Sequence, residues 1–126
     1  GVHDMITCPL WPIGKAWTAD YGNPQEDGAA FDYNMTYSPL HTVRANKTYP
    51  TVILACADHD DRVVPAHSFK LAAEMQHTLA NNANPILLRV DLQAGHGEGK
   101  STQKRMEEAA EKYAIVAHVL GLPLTP

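Results

Sequence analysis

Hydrophobic and polar positions fall into two regimes along the chain. Up to about Thr48 they follow no period, and Pro9, Pro12, Gly14, Gly22, Pro24, Gly28 and Pro39 interrupt any long element. Short helical turns between loops are all that is expected there. From Tyr49 the pattern sharpens. The run Thr51 to Ala57, TVILACA, is continuously apolar and rich in branched side chains, as a strand covered on both faces would be, and it stops at Asp58. From Pro65 to about Leu79, the residues Phe69, Ala72, Ala73, Gln76 and Leu79 recur at helical spacing. Pro65 suits the first turn of that helix, and Asn81 and Asn82 suit its stop. Pro85 opens a second apolar run, ILLRVDL, which ends near Leu92 and is followed by the glycine-rich loop AGHGEG. From Ser101 to Leu120, Met106, Ala109, Ala110, Tyr113, Ala117 and Leu120 form one stripe opposite Lys104, Glu107, Glu108, Glu111 and Lys112. Gly121 and Pro123 end that helix. Strand, helix, strand, helix is the order of parallel α/β structure.

Composition narrows the classes this pattern allows. The chain has 126 residues, 44% hydrophobic and 19% charged, within the range of one soluble globular domain. A formal charge of -4, with the ten Lys and Arg scattered, provides no basic surface for nucleic acid. Cys8 and Cys56 have neither metal spacing nor the number for a disulfide framework, which fits a reducing, cytoplasmic setting. No apolar run reaches the roughly 18 residues of a membrane span, and GVHDMITCPL does not read as a signal peptide. Neither internal repeats nor low-complexity tracts occur. Only two strands are evident and their faces need neighbours, so the isolated chain is expected to fold poorly and to have no activity of its own.

In a parallel sheet, chemistry gathers just beyond the carboxyl ends of the strands. Two loops lie at such ends: Asp58-His59-Asp60-Asp61-Arg62, and the turn that carries His96 between Gly95 and Gly97. Small neighbours would let the His96 imidazole project from a tight turn. An acid followed by a histidine on consecutive strand-helix units is the order of α/β-hydrolases, whose nucleophilic serine precedes both. Ser38, Ser68 and Ser101 lie in YSPLH, AHSFK and KSTQK, none of which is a nucleophile elbow, so either the chain is an incomplete piece of an enzyme, with the serine upstream of Gly1, or it is not a hydrolase of this kind. On residue types alone an ordinary reading competes, in which an aspartate caps the following helix and a histidine decorates a loop. Asp58, Asp60 and Asp61 are then equal candidates. His59, His67, His77 and His118 lie beside or on helices, where solvated or packed roles are commoner. Asp60 and Asp61 are adjacent and do not form the spaced carboxylate pair of a glycosidase. No metal site is expected, because no spaced His or Cys partners recur. Asn34-Met35-Thr36 and Asn46-Lys47-Thr48 match the glycosylation pattern, which carries no meaning in a cytoplasmic protein.

The strings IGKAWTADYGNP, YSPLHTV, ADHDDRVVPAHSFKLAAEMQH and AGHGEGK together resemble the C-terminal part of the prolyl oligopeptidase family, serine peptidases that cleave short peptides after proline. The likeness runs from Gly1 to about Leu120, and DHDDRVVP joined to AGHGxGK is its most specific part. Fungal macrocyclising members share the same strings. The resemblance implies an α/β-hydrolase catalytic domain capped by a β-propeller, of which residues 1–126 would be the C-terminal portion of the first, with the propeller absent. It makes Asp60 the triad acid, His96 the triad histidine, and Arg62 the arginine that binds a substrate carbonyl. Trp17 and Tyr21 correspond to the aromatics of the proline pocket, with Val2 and Val63 as apolar walls. The implied partners are proline-containing peptides and the remainder of the same protein, a monomer at full length, with no cofactor, metal, nucleic acid or membrane. Two departures stand out. ITCPLWPIG replaces a basic and aromatic segment before Trp17, and Ser101 replaces a proline, where it could cap the last helix. Rival readings are a macrocyclase or a dipeptidyl or acyl peptidase on the same scaffold, and a non-catalytic fragment.

Overall fold

The computed structural model describes residues 1–97 and 100–123; Glu98 and Gly99 of the glycine-rich loop and residues 124–126 lie outside the described residues. The chain divides into two units, 1–96 and 97–126.

In the first unit, α1 (Thr18–Tyr21) and α2 (Gly28–Tyr37) precede the parallel strands β1 (Val52–Ala57) and β2 (Ile86–Asp91), which are joined through α3 (Ala66–Thr78). Val52 lies opposite Ile86 and the register runs to Ala57 opposite Asp91. Both strands and α3 fall within a residue or two of where the apolar runs place them. The pleat sends Val52 and Leu54 to one face of β1. There Leu54 meets Leu71, Ala72, Met75 and Leu79 of α3, with Val43, Tyr49, Val52, Ile86 and Leu88 packed around them. Burying each large aliphatic side chain in this cluster stabilises by roughly 1.5–3 kcal/mol.

On the face of β1 away from Leu54, Ala57 is buried and Ala55 is exposed in this chain. One expectation is corrected here: the buried side of α3 is rotated from the stripe read in the sequence. His67, Ser68, Leu71, Ala72 and Met75 turn inward, while Phe69, Ala73 and Gln76 are exposed. The cause is that two polar residues, His67 and Ser68, take buried places that an apolar pattern assigns to Phe69.

Polar brackets set the ends of these elements. Asn82 receives the Tyr49 amide on Oδ1 at 3.1 Å and donates Nδ2 to the Tyr49 carbonyl at 3.1 Å. With the Val52 amide on the Pro85 carbonyl at 3.1 Å, this ties the start of β1 to that of β2. The helix α2 is longer than the short turns expected. Asp27 caps it, accepting the Ala29 amide at 2.9 Å. Its apolar residues Phe31, Tyr33, Met35 and Tyr37 alternate, so no helical period announces it. Asn34 anchors it, fully buried, with Nδ2 donating to the Tyr21 carbonyl at 3.2 Å and Tyr37 Oη donating to Oδ1. A glycan could not be attached there.

Buried polar groups also fasten the N-terminal segment to α3. Asp4 accepts the Ile6 and Thr7 amides on Oδ1 at 3.1 and 3.0 Å, and Oδ2 pairs with Lys70. The Asp4 amide donates to His67 Nδ1 at 3.3 Å. Burial lowers the His67 pKa, in keeping with a neutral ring that accepts.

The second unit is α4 (Thr102–Val119). Ser101 caps it, its Oγ accepting the Lys104 amide at 3.2 Å. Glu108 accepts from Lys100 at 2.9 Å and from Lys112 at 2.6 Å. The helix stops where the Leu122 amide reaches back to the Ala117 carbonyl at 2.8 Å. Met106, Tyr113 and Leu120 of the apolar stripe are exposed.

Candidate active site

The loop after β1 begins as a tight turn built around one carboxylate. Asp60 Oδ1 accepts the Arg62 amide at 3.0 Å and the Val63 amide at 2.8 Å. An aspartate that closes the turn in this way has little torsional freedom left. Its second oxygen, Oδ2, faces His96 Nδ1 at 2.7 Å across 36 positions of sequence. The Asp60 side chain is 10% exposed and that of His96 44%. Thus the acid is enclosed and the imidazole reaches solvent. Burial, the largest single influence on Asp60, raises its pKa. The Val63 amide, His96 and the Arg62 amide together outweigh it and hold the carboxyl below its ordinary value. An ionised Asp60 fixes the proton of neutral His96 on Nδ1 and leaves Nε2 with a lone pair, the state of a general base. Gly97 completes the turn with φ +91°, a conformation L side chains rarely adopt.

A second aspartate-histidine pair lies beside the first at the same separation. Asp58 Oδ1 is 2.7 Å from His59 Nδ1. Both partners are neighbours on one loop and the His59 side chain is 73% exposed, so nothing holds that imidazole toward a reacting group. Asp58 instead spans the two loops. Its carboxylate accepts the Ala94 amide at 3.2 Å, its own amide donates to the Asp91 carbonyl at 3.1 Å, and the His59 amide donates to the Ala94 carbonyl at 3.1 Å. His59 and then the Gln93 amide hold the Asp58 pKa at about 2. This bridging role was not legible in the sequence, where Asp58 was only one of three acids available to cap a helix.

The other expected residues fall in three places. Val63, half-buried, and Arg62, exposed, belong to the Asp60 turn through their amides. Among the described residues the Arg62 guanidinium has no ion-pair partner. Val2 is half-buried beside His3, whose carbonyl accepts the Leu40 amide at 2.8 Å. Trp17 and Tyr21 line a crevice with Met5, Cys8, Pro9, Gly14, Thr18 and Gly22. Neither Asp60 nor His96 lines it. The segment ITCPLWPIG folds back on itself there, so closely that a Cβ on Gly14 would stand 1.9 Å from the Cys8 carbonyl oxygen. The three serines are committed elsewhere. Ser38 is fully buried, accepting the Met5 amide at 3.1 Å with His41 Nδ1 2.8 Å away; Ser68 is buried and Ser101 caps α4. Among the described residues no group of three or more His, Cys, Asp or Glu is placed to hold a metal, and no helix is long and apolar enough to cross a membrane.

Comparison with known proteins identifies the family. The model of the prolyl oligopeptidase family matches residues 1–122. Prolyl oligopeptidase A of Amanita bisporigera is 56% identical over 122 residues, covering 97% of this chain and 16% of that protein. Prolyl oligopeptidase A of Galerina marginata is 54% identical with the same coverage. The chain therefore spans about one sixth of the length of these curated relatives. Among solved structures, prolyl oligopeptidase B of Galerina marginata, an alanine variant of a serine bound to a 35mer hydrolysis and macrocyclization substrate, superposes with a TM-score of 0.90 at 41% identity, over 98% of this chain and 17% of that one. Structures of the same enzyme with alanine in place of an aspartate or a histidine match at TM-scores of 0.88 and 0.89. The strand-helix-strand unit is accordingly a portion of an α/β-hydrolase fold, and the chain belongs to the prolyl oligopeptidase family.

Proposed function

We propose that this chain acts within a longer serine peptidase that cleaves short peptides on the carboxyl side of proline, and that it supplies the aspartate and histidine of the catalytic triad. The observation that carries the proposal is the enclosed Asp60 carboxylate held on His96 Nδ1 at 2.7 Å, at the carboxyl ends of two parallel strands. Relatives in which a serine, an aspartate and a histidine were each replaced lend support.

In the proposed reaction, His96 Nε2 takes the proton of a serine hydroxyl supplied by the rest of the protein as the oxygen attacks the proline carbonyl. Asp60 stabilises the imidazolium. His96 then gives that proton to the leaving amine, and an acyl ester remains on the serine. Water, deprotonated by His96, releases the acid and restores the enzyme. Trp17 and Tyr21 offer flat apolar faces for the proline ring; Val2 and Val63, the expected walls, do not line the same crevice. The exposed Arg62 guanidinium donates to a substrate carbonyl. Both thiols are free, which suits a cytoplasmic setting.

A second reading differs only in the acceptor: the amine of the same peptide replaces water and closes a ring. The 25mer macrocyclization substrate bound to prolyl oligopeptidase B favours it, whereas the higher identity to the oligopeptidase A enzymes favours hydrolysis. Mass spectrometry of products formed by the full-length protein from proline-containing peptides separates them. Linear fragments ending in proline support the first reading and cyclic products the second. Intact peptide would overturn both.

A further inference from the structure

We propose that Asp58 is a positioning residue for His96, resting on the reading of Asp60 and His96 as a catalytic pair. That pair is formed by two loops with no covalent link nearer than the strands themselves, and displacing a catalytic group by about 1 Å costs up to roughly 100-fold in rate. Something must therefore keep the loops in register after the β1-β2 ladder ends at Ala57 and Asp91.

Asp58 does this from both sides. Its backbone amide continues the ladder by donating to the Asp91 carbonyl at 3.1 Å. Its carboxylate accepts the Ala94 amide at 3.2 Å. The neighbouring His59 amide closes the next link on the Ala94 carbonyl at 3.1 Å. Between these anchors the chain passes through Gln93 with φ +54°, the left-handed conformation that glycine takes freely and glutamine does not. Among the described non-glycine residues it is the one such position. A backbone held in a sparsely populated conformation persists where its surroundings over-determine it, and here Asp58 Oδ1 on the Ala94 amide, with the Asp58 and His59 amides on the Asp91 and Ala94 carbonyls, brackets Gln93 on both sides. Ala94 is then fixed, and only Gly95 separates it from His96. Asp60 orients the His96 ring; Asp58 fixes the backbone that carries it.

The test uses the full-length protein and a post-proline chromogenic reporter. Asp58→Ala is expected to lower kcat by roughly 10- to 100-fold with KM within about twofold. Asp58→Asn retains the oxygen acceptor in place and is expected to restore kcat to within about threefold. Asp58→Glu keeps the charge but moves the carboxylate by one methylene, and is expected to fall about tenfold. It decides the matter if Asp58→Ala does not fold. Normal kcat in Asp58→Ala and Asp58→Glu, or an equal loss in Asp58→Asn and Asp58→Ala, overturns the proposal. His96→Ala in the same assay separates the two claims: retained turnover there sinks the catalytic pair itself, whereas abolished turnover with unaffected Asp58 variants sinks the positioning role alone.

Discussion

Asp60 Oδ2 and His96 Nδ1 stand 2.7 Å apart although 36 positions separate them in sequence. The other oxygen of Asp60 is occupied by the amides of Arg62 and Val63, so the side chain that caps its own turn is the one that faces the histidine. Asp60 thus closes its own turn rather than capping α3, whose N-terminus at Pro65 carries no side-chain cap. Asp60→Asn tests the arrangement. An asparagine keeps the turn but presents an NH2 group or a neutral oxygen to Nδ1, and no longer stabilises an imidazolium. In the full-length protein kcat is expected to fall by roughly 10⁴-fold with little change in KM or in thermal unfolding. A fall of kcat in step with lost secondary structure would instead mark Asp60 as only a turn former.

The aromatic crevice makes a prediction about selectivity. Trp17→Ala removes a large apolar face and is expected to reduce kcat/KM on a post-proline reporter by roughly 10- to 100-fold, while turnover after alanine changes little. The measurement is the ratio of kcat/KM for paired proline and alanine reporters. An unchanged ratio would remove Trp17 from the pocket.

The buried Asp4 and its partner Lys70 make a prediction about acid stability. Burial raises the Asp4 pKa most, but Lys70 and Thr7 outweigh it and hold the carboxyl at about 2, against an ordinary 3.8. Because the folded-state value is the lower one, the contribution is complete above about pH 4 and is lost as pH falls toward 2. Asp4→Asn in the full-length protein is expected to lower the unfolding midpoint near neutrality, with a cost of about 1–3 kcal/mol. Unfolding scans across that interval should show the gap to the parent protein closing as the medium becomes more acidic. A gap independent of pH would mean the loss is not ionic.

Much of this was legible in the sequence, for reasons that differ by element. TVILACA and ILLRVDL read as strands because continuous apolar runs ended by Asp58 and by the glycine-rich loop allow few alternatives. Ser101 was legible as a cap because a hydroxyl before a helical stripe has few better uses. By contrast, α2 is held by Asp27 and the buried Asn34, and polar anchors leave no trace in a hydrophobic period. The inward face of α3 was misread for the same reason, since His67 and Ser68 are buried through their partners rather than their hydropathy. At the site, spacing brought Asp60 no nearer than Asp58 or Asp61; the resemblance selected it. The division of labour between Asp58 and Asp60 depends on which amides lie across the second loop, and that is a property of the folded chain.

The account rests most on His96. The most direct measurement is kcat of His96→Ala in the full-length protein on a post-proline reporter, beside the parent enzyme. Loss of turnover by roughly 10⁴-fold or more, with the unfolding midpoint unchanged, is the predicted result. Turnover within about tenfold of the parent would contradict it, because no general base essential to the reaction could then reside at that position.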